Sequence, residues 1–273
     1  MTDRYAVIGN PIGHSKSPLI HRRFAGQTQQ DLDYVAIEGP LDGFDAAVRG
    51  FRDAGGKGMN ITAPFKLHAY ELATDRLERA RLAGATNALK FAGDRILADN
   101  FDGVGLVNDI QRNVGIALAG RRVLMLGAGG AARGAMLPFL VQGPQAFVVV
   151  NRSIEKARAL AREFAASGQI TACGYGDLVG ERFDVVVNAT SASLRAELPP
   201  VPASAFNGAT LAYELAYGKG LTPFLRLARS AGVPHLADGV GMLVEQAAEA
   251  FAWWRGVRPQ TKGLIRQLTV PLT

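Results

Sequence analysis

Short apolar runs and helix-like stretches take turns along the chain. In the first half the strand-like runs are "YAVIG", "DYVAIE" and "KGMNI", followed by stretches of helical spacing that open at Pro18, Leu41 and Phe65. Two β-like pieces, "NALKF" and "RILAD", then flank the turn residues Gly93 and Asp94. A helix from Asp102 to about Asn113 leads into a second series of strands, "RRVLML", "AFVVV", "FDVVVN" and "ATLAYEL". Strands alternating with helices predict an α/β chain with largely parallel sheets. The series restarts near residue 103, and a domain boundary is placed there.

Composition narrows the class. A chain of 273 residues holds two domains or one large one, and 48% hydrophobic with 20% charged residues describes an ordinary globular protein. No apolar run approaches the roughly 20 residues that cross a bilayer. The stretch "MTDRYAVIGN" has no apolar signal region, so no secretory signal is expected. Cys173 is the only cysteine, which excludes an intrachain disulfide, and His14, His21, His68 and His235 have no partners at metal-ligand spacing. A reducing, cytoplasmic setting and no metal are expected. Net charge of +6 favours anionic partners, but the arginines are dispersed and no nucleic-acid motif is present. The expected partner is a small anionic ligand, with no nucleic acid and no membrane. Nothing in the pattern separates a monomer from a homodimer.

One stretch names its ligand class. In "RRVLMLGAGGAARGAMLPFL" a buried-type strand runs into Gly127, Ala128, Gly129, Gly130, Ala131 and Ala132, and then a helix. Gly127 permits the tight turn, Gly129 lets a pyrophosphate approach the backbone, and Ala132 allows close helix–strand packing. The helix start adds free N–H groups for the phosphates. At the end of the next strand, where an NAD site places an acid for the ribose, stand Asn151, Arg152 and Ser153, with Lys156 one turn on. A guanidinium there suits a 2′-phosphate, so NADP is expected over NAD. Ser153 is also placed to cap the helix that follows.

Polar residues gather where first-half strands should end. "GMNITAPFK" contributes Asn60, Thr62 and Lys66, "AGATNAL" contributes Asn87, and "DNFDGVG" contributes Asp99, Asn100 and Asp102. Lys66 is the odd member, because a cation in a helix's first turn opposes the dipole. Asp102 alone reads equally well as a helix cap. In "NPIGHSKSPLIH", Ser17 before Pro18 reads as a capped helix start, and Ser15 adds a second hydroxyl to what is then an anion seat.

These pieces, with "NATS", "YGKGLTPFL" and "DGVGMLVEQAAEAF", resemble the shikimate dehydrogenases, NADP-dependent enzymes that reduce 3-dehydroshikimate to shikimate. They occur in the family's order over nearly the whole chain. The resemblance implies two domains separated by a cleft. One is an N-terminal α/β substrate domain, 1–102, completed by 239–273; the other is a Rossmann-type NADP-binding domain, 103–238. It also implies roles. Lys66 and Asp102 form the catalytic pair, the first supplying the proton to the reduced carbonyl and the second orienting it. Ser15 and Ser17 hold the substrate carboxylate, Asn60, Thr62, Asn87 and Gln246 bind ring hydroxyls, and Tyr217 reaches the substrate from the other domain. Asn188, Thr190, Ser191, Leu215 and Gly239 lie on the nicotinamide side.

Three departures stand out against the family pattern. Phe101 replaces a common threonine and is expected beside the substrate, Glu214 and Leu215 replace an Asp-Met pair, and Ala192 with Ser193 stand where glycine often follows. They leave open the sister activities on this scaffold, quinate/shikimate and aminoshikimate dehydrogenase. A dinucleotide-sensing module without catalysis is the remaining alternative, against which the presence of both Lys66 and Asp102 speaks.

Overall fold

The alternating runs form two six-stranded sheets, each in its own unit. The computed structural model describes residues 2–272. One unit takes the chain through Gly105 with Val244–Leu264, the other Leu106–Leu243 with the chain from Ile265 onward.

In the first unit the elements are β1 (Asp3–Gly9), α1 (Ser17–Thr28), β2 (Leu32–Glu38), α2 (Phe44–Asp53), β3 (Gly56–Ile61), α3 (Lys66–Leu72), β4 (Asp75–Arg76), α4 (Glu78–Ala83), β5 (Ala88–Ala92) and β6 (Arg95–Asp99). Strand order is β2-β1-β3-β5-β6-β4. Strands β2, β1 and β3 are parallel, joined through helices as parallel pairs must be. The β5–β6 hairpin is antiparallel and turns at Gly93, whose φ of +59° suits glycine. The register pairs Asn60 with Ala88 and Ala88 with Asp99. The end of β3, the start of β5 and the end of β6 therefore meet at one edge of the sheet. The two-residue strand β4 gave no sequence signal.

Helix α5 (Asp102–Asn108) continues as a π-helical stretch, Asp109–Val114, where a single helix to about Asn113 was expected. The second unit contains β7 (Arg122–Leu126), α6 (Gly130–Leu140), β8 (Ala146–Val150), α7 (Ile154–Glu163), β9 (Ile170–Cys173), β10 (Val185–Asn188), β11 (Leu211–Glu214), α8 (Pro223–Ser230) and β12 (His235–Ala237). All its strand pairs are parallel, in the order β12-β11-β10-β7-β8-β9. The chain winds outward from β7 in one direction and from β10 in the other. In such sheets ligands bind outside the carboxyl ends of the strands at that switch point.

Helix α9 (Val240–Arg255) and helix α10 (Lys262–Leu268) complete the chain. The sequence reading carries 239–273 whole into the first domain, but only Val244–Leu264 groups with the first unit. The chain from Ile265 stays with the second, where Arg229 donates to the Leu272 carbonyl. The last turn of α9 is fastened by Trp254, which is buried, stacks on Tyr5 at 4.8 Å and donates from its indole to the Leu89 carbonyl at 3.0 Å. Gly58 leaves it room, since a Cβ there would stand 2.6 Å from the indole nitrogen. Trp254→Ala is expected to cost about 3–5 kcal/mol in urea unfolding, the range for a deleted core aromatic, with the native fold retained in circular dichroism.

Candidate functional site

The first unit builds its polar site on the sheet edge where β3, β5 and β6 meet. Lys66 opens α3, and its Nζ lies 2.5 Å from Asp102 Oδ2. The other carboxylate oxygen of Asp102 accepts from Asn87 Nδ2 at 2.7 Å. The same amide nitrogen donates to Gln246 Oε1 at 3.1 Å, and Asn87 Oδ1 accepts from the Phe101 backbone at 2.9 Å. Asn60 donates to the Asn87 carbonyl at 3.2 Å. Asn87, Asn60 and Gln246 are buried, whereas Lys66 and Asp102 keep partial exposure. A fixed amide thus orients a carboxylate, which in turn holds an ammonium at the surface. Asp102 is no helix cap: its carboxylate faces Lys66, and its own N–H donates to Asn100 Oδ1 at 3.1 Å.

Behind this group stand residues that the sequence reading missed. The Tyr34 hydroxyl donates to Asn60 Oδ1 at 2.7 Å. Burial pushes its pKa well above the usual phenol range, with a hydrogen bond to Ser17 opposing. Arg79 pairs with the fully buried Asp99, whose pKa burial raises and Arg79 pulls back. Asp99 Oδ1 also accepts from the Asn100 backbone at 2.8 Å, fixing the loop that carries Asp102. Neither Tyr34 nor Arg79 lies in a motif: sheet pairing brings Tyr34 here, and helix α4 carries Arg79 to Asp99.

Ser17 does not cap α1 as its place before Pro18 suggests. Helix α1 begins at Ser17 with Lys16 in the capping position and no side-chain cap. Ser15 Oγ instead accepts from the Ser17 backbone at 3.3 Å, while Ser17 is buried beside Tyr34. The half-buried Ser15 and Thr62 stand near the turns around the cis peptides Asn10–Pro11 and Ala63–Pro64. Gly9 allows Thr62 to approach, since a Cβ there would overlap the threonine methyl.

In the second unit the switch point carries a cavity of about 550 Å³. Gly127, Ala128, Gly129, Gly130 and Ala131 line one side, Asn151, Arg152, Ser153 and Lys156 another, and Thr190 and Ser191 a third. Gly127 has a φ of +104° and lies against Ala189 and Thr190, so a side chain is excluded there. Gly129 and Gly130 have open space where a Cβ would stand. Packing of the chain itself does not demand glycine at those two positions, which suits a backbone that a pyrophosphate approaches. Ser153 occupies the capping position of α7 but makes no capping hydrogen bond.

Asn188 is not a lining residue. It is fully buried, donates to Glu214 Oε2 at 2.8 Å and accepts from the Thr190 hydroxyl at 2.7 Å, so it shapes the loop from beneath. Glu214 is buried as well; burial raises its pKa, and hydrogen bonds from Ser193, the Ala216 N–H, Asn188 and Thr222 oppose the rise. Leu215, Tyr217 and Gly239 lie off the cavity lining. Gly239 is fixed by the Leu215 carbonyl, which a Cβ would overlap. Tyr175, Arg195 and Glu197 line the cavity although no motif announced them.

Three family models match the chain: the shikimate dehydrogenase substrate binding domain over residues 7–89, shikimate/quinate 5-dehydrogenase over 109–196, and the shikimate 5′-dehydrogenase C-terminal domain over 239–269. The chain belongs to the shikimate dehydrogenase family. A shikimate dehydrogenase (NADP(+)) from Nitrosospira multiformis is 57% identical over 98% of both chains. The crystal structure of an Ael1 enzyme from Pseudomonas putida is 64% identical over 100% of both chains, with a TM-score of 0.97. A shikimate 5-dehydrogenase from Thermus thermophilus, solved in complex with NADP(H) and shikimate, is 30% identical over 97% of this chain and 98% of that one, with a TM-score of 0.86.

The structure accounts for three of the substituted positions, Phe101, Ser193 and Glu214. Phe101 is not an open pocket wall: its ring is buried edge-on against Trp253 at 5.6 Å, with the Arg79 guanidinium 5.0 Å from its centre. Glu214 and Ser193 answer each other, the serine hydroxyl donating to the longer carboxylate. Among the described residues no group of His, Cys, Asp and Glu could hold a metal, and no helix is long and apolar enough to cross a membrane.

Titration of His21 offers a test of the wall behind Asn60. The imidazole is buried and stacked on Tyr34 at 4.1 Å, with no hydrogen bond of ordinary geometry to either nitrogen. Burial lowers its pKa to about 3, only partly opposed by Asn60. Unfolding therefore takes up a proton below the free value near 6.5, so the contribution present above that pH is lost as pH falls towards 3. Between pH 7 and pH 5 the loss from this group is roughly 2 kcal/mol. Urea unfolding of His21→Phe across that range should show the slope reduced by that amount.

Proposed function

We propose that the chain catalyses the reversible, NADP-dependent reduction of 3-dehydroshikimate to shikimate, with Lys66 and Asp102 as the catalytic pair. The observation that carries this reading is the 2.5 Å contact of Lys66 with an Asp102 carboxylate already held by Asn87. NADP supplies or takes the hydride when bound. As the carbonyl oxygen of the substrate gains charge, the Lys66 ammonium stabilises it and donates the proton; in the oxidative direction the neutral amine accepts the hydroxyl proton. Asp102 keeps the ammonium aimed, and Asn87 keeps the carboxylate from rotating. Asn60, Thr62, Asn87 and Gln246 are the ring-hydroxyl partners, and Ser15, Ser17 and the α1 N-terminus seat the carboxylate.

Gly127 makes the turn, Gly129 and Gly130 leave backbone open for the pyrophosphate, and Arg152, Ser153 and Lys156 face the adenosine ribose. Thr190 and Ser191 serve the nicotinamide side, as do Leu215 and Gly239, while Tyr217 reaches the substrate. The substrate domain is the first unit and the NADP domain the second. A lone, half-buried Cys173, whose thiol burial pushes up, fits a reducing, cytoplasmic setting. Absorbance assays with NADP and NAD, each against shikimate and quinate, test the reading. Turnover should be fastest with NADP and shikimate, and Lys66→Ala should lower kcat about 10²–10⁴-fold with little change in KM. Absence of turnover with either acid, or near-native kcat in that variant, overturns it.

A further inference from the structure

The cavity at the switch point contains an acid as well as its cations. Glu197, on the loop after β10, accepts from Arg195 Nε at 2.9 Å and from Arg195 Nη2 at 2.8 Å. Both side chains line the cavity together with Arg152. Arg195 Nη1 also donates to Ser191 Oγ at 3.3 Å, which ties the guanidinium to the Thr190–Ser191 wall. Hydrogen bonds from Arg195 hold the Glu197 carboxyl below its usual range, and the positive charge of Arg152 adds to this. Glu197 is thus paired with Arg195 and feels the charge of Arg152, whose guanidinium is expected to face the adenosine ribose.

We propose that Arg195 is a second guanidinium for the 2′-phosphate of NADP, and that Glu197 occupies its fork until the dinucleotide binds. This rests on the NADP reading above. A planar fork that receives a carboxylate through two parallel bonds receives two phosphate oxygens in the same way. Arg195 and Glu197 side chains are 50% and 52% exposed, so their pair is screened by water and exchanges readily. A phosphate monoester carries about −1.5 to −2 charge at neutral pH and displaces a carboxylate of single charge. The ribose hydroxyl of NAD has no charge to do so, and the ion pair stays closed. The exchange sharpens the choice of NADP from a loop far along the chain from the Arg152 motif.

Calorimetric titration of the full chain with NADP+ and with NAD+ tests the proposal. Arg195→Ala should weaken NADP+ about tenfold and leave NAD+ within about twofold. Glu197→Gln, which removes the competing charge, should tighten NADP+ about threefold without changing NAD+. Equal weakening of both dinucleotides by Arg195→Ala would assign Arg195 to the shared pyrophosphate and overturn the proposal, as would no change in a variant with native circular dichroism. Arg152→Ala separates the two levels. If it weakens NADP+ while Arg195→Ala does not, only the role of Arg195 falls. If the wild-type chain shows no preference for NADP+ over NAD+, the NADP reading falls with it.

Discussion

Asn87 gives one amide nitrogen to both Asp102 and Gln246, while its side-chain oxygen receives the Phe101 N–H. A buried amide with all these partners cannot rotate without leaving a polar group unsatisfied. Its rigidity passes to the Asp102 carboxylate and from there to the Lys66 ammonium. The antiparallel turn of β5 makes this possible, because it brings a strand start to the edge where β3 and β6 end. An all-parallel sheet would have put Asn87 at the opposite edge. Asp99 and Arg79 complete the constraint by pinning the loop that presents Asp102.

The second unit uses the other solution for the same need. Its strands are all parallel, so loops that leave neighbouring strands in opposite directions open a space of their own. Glycines keep backbone bare on one side, and the buried group of Asn188, Ser193, Thr222 and Glu214 supports the loop on the other. Two departures from the family pattern therefore belong to one hydrogen-bonded group. A longer acid at position 214 meets a hydroxyl at 193, and the loop keeps an internal support.

Much of this was legible in the sequence, because strand-forming runs and glycine punctuation are local signals. The runs "YAVIG", "KGMNI", "RRVLML" and "AFVVV" became strands, and the Gly127–Gly130 turn lines a cavity. Short edge strands such as β4 and β12 gave too little pattern to find. Side-chain direction was the other limit. Ser17 reads as a cap and turns inward to Tyr34, Phe101 reads as a pocket wall and turns into the core, and Asn188 reads as a ligand and turns beneath its loop. Tyr34, Arg79, Arg195 and Glu197 join their sites only through strand pairing, helix placement and loop return, which no spacing rule encodes.

The central claim is that Lys66 and Asp102 act as one device rather than as two independent groups. A double-mutant cycle on kcat for shikimate oxidation, using Lys66→Ala, Asp102→Asn and the double variant, tests it most directly. The account predicts that the double variant loses no more than about the larger of the two single losses. Losses that multiply, each variant contributing its full factor in the presence of the other, would contradict it.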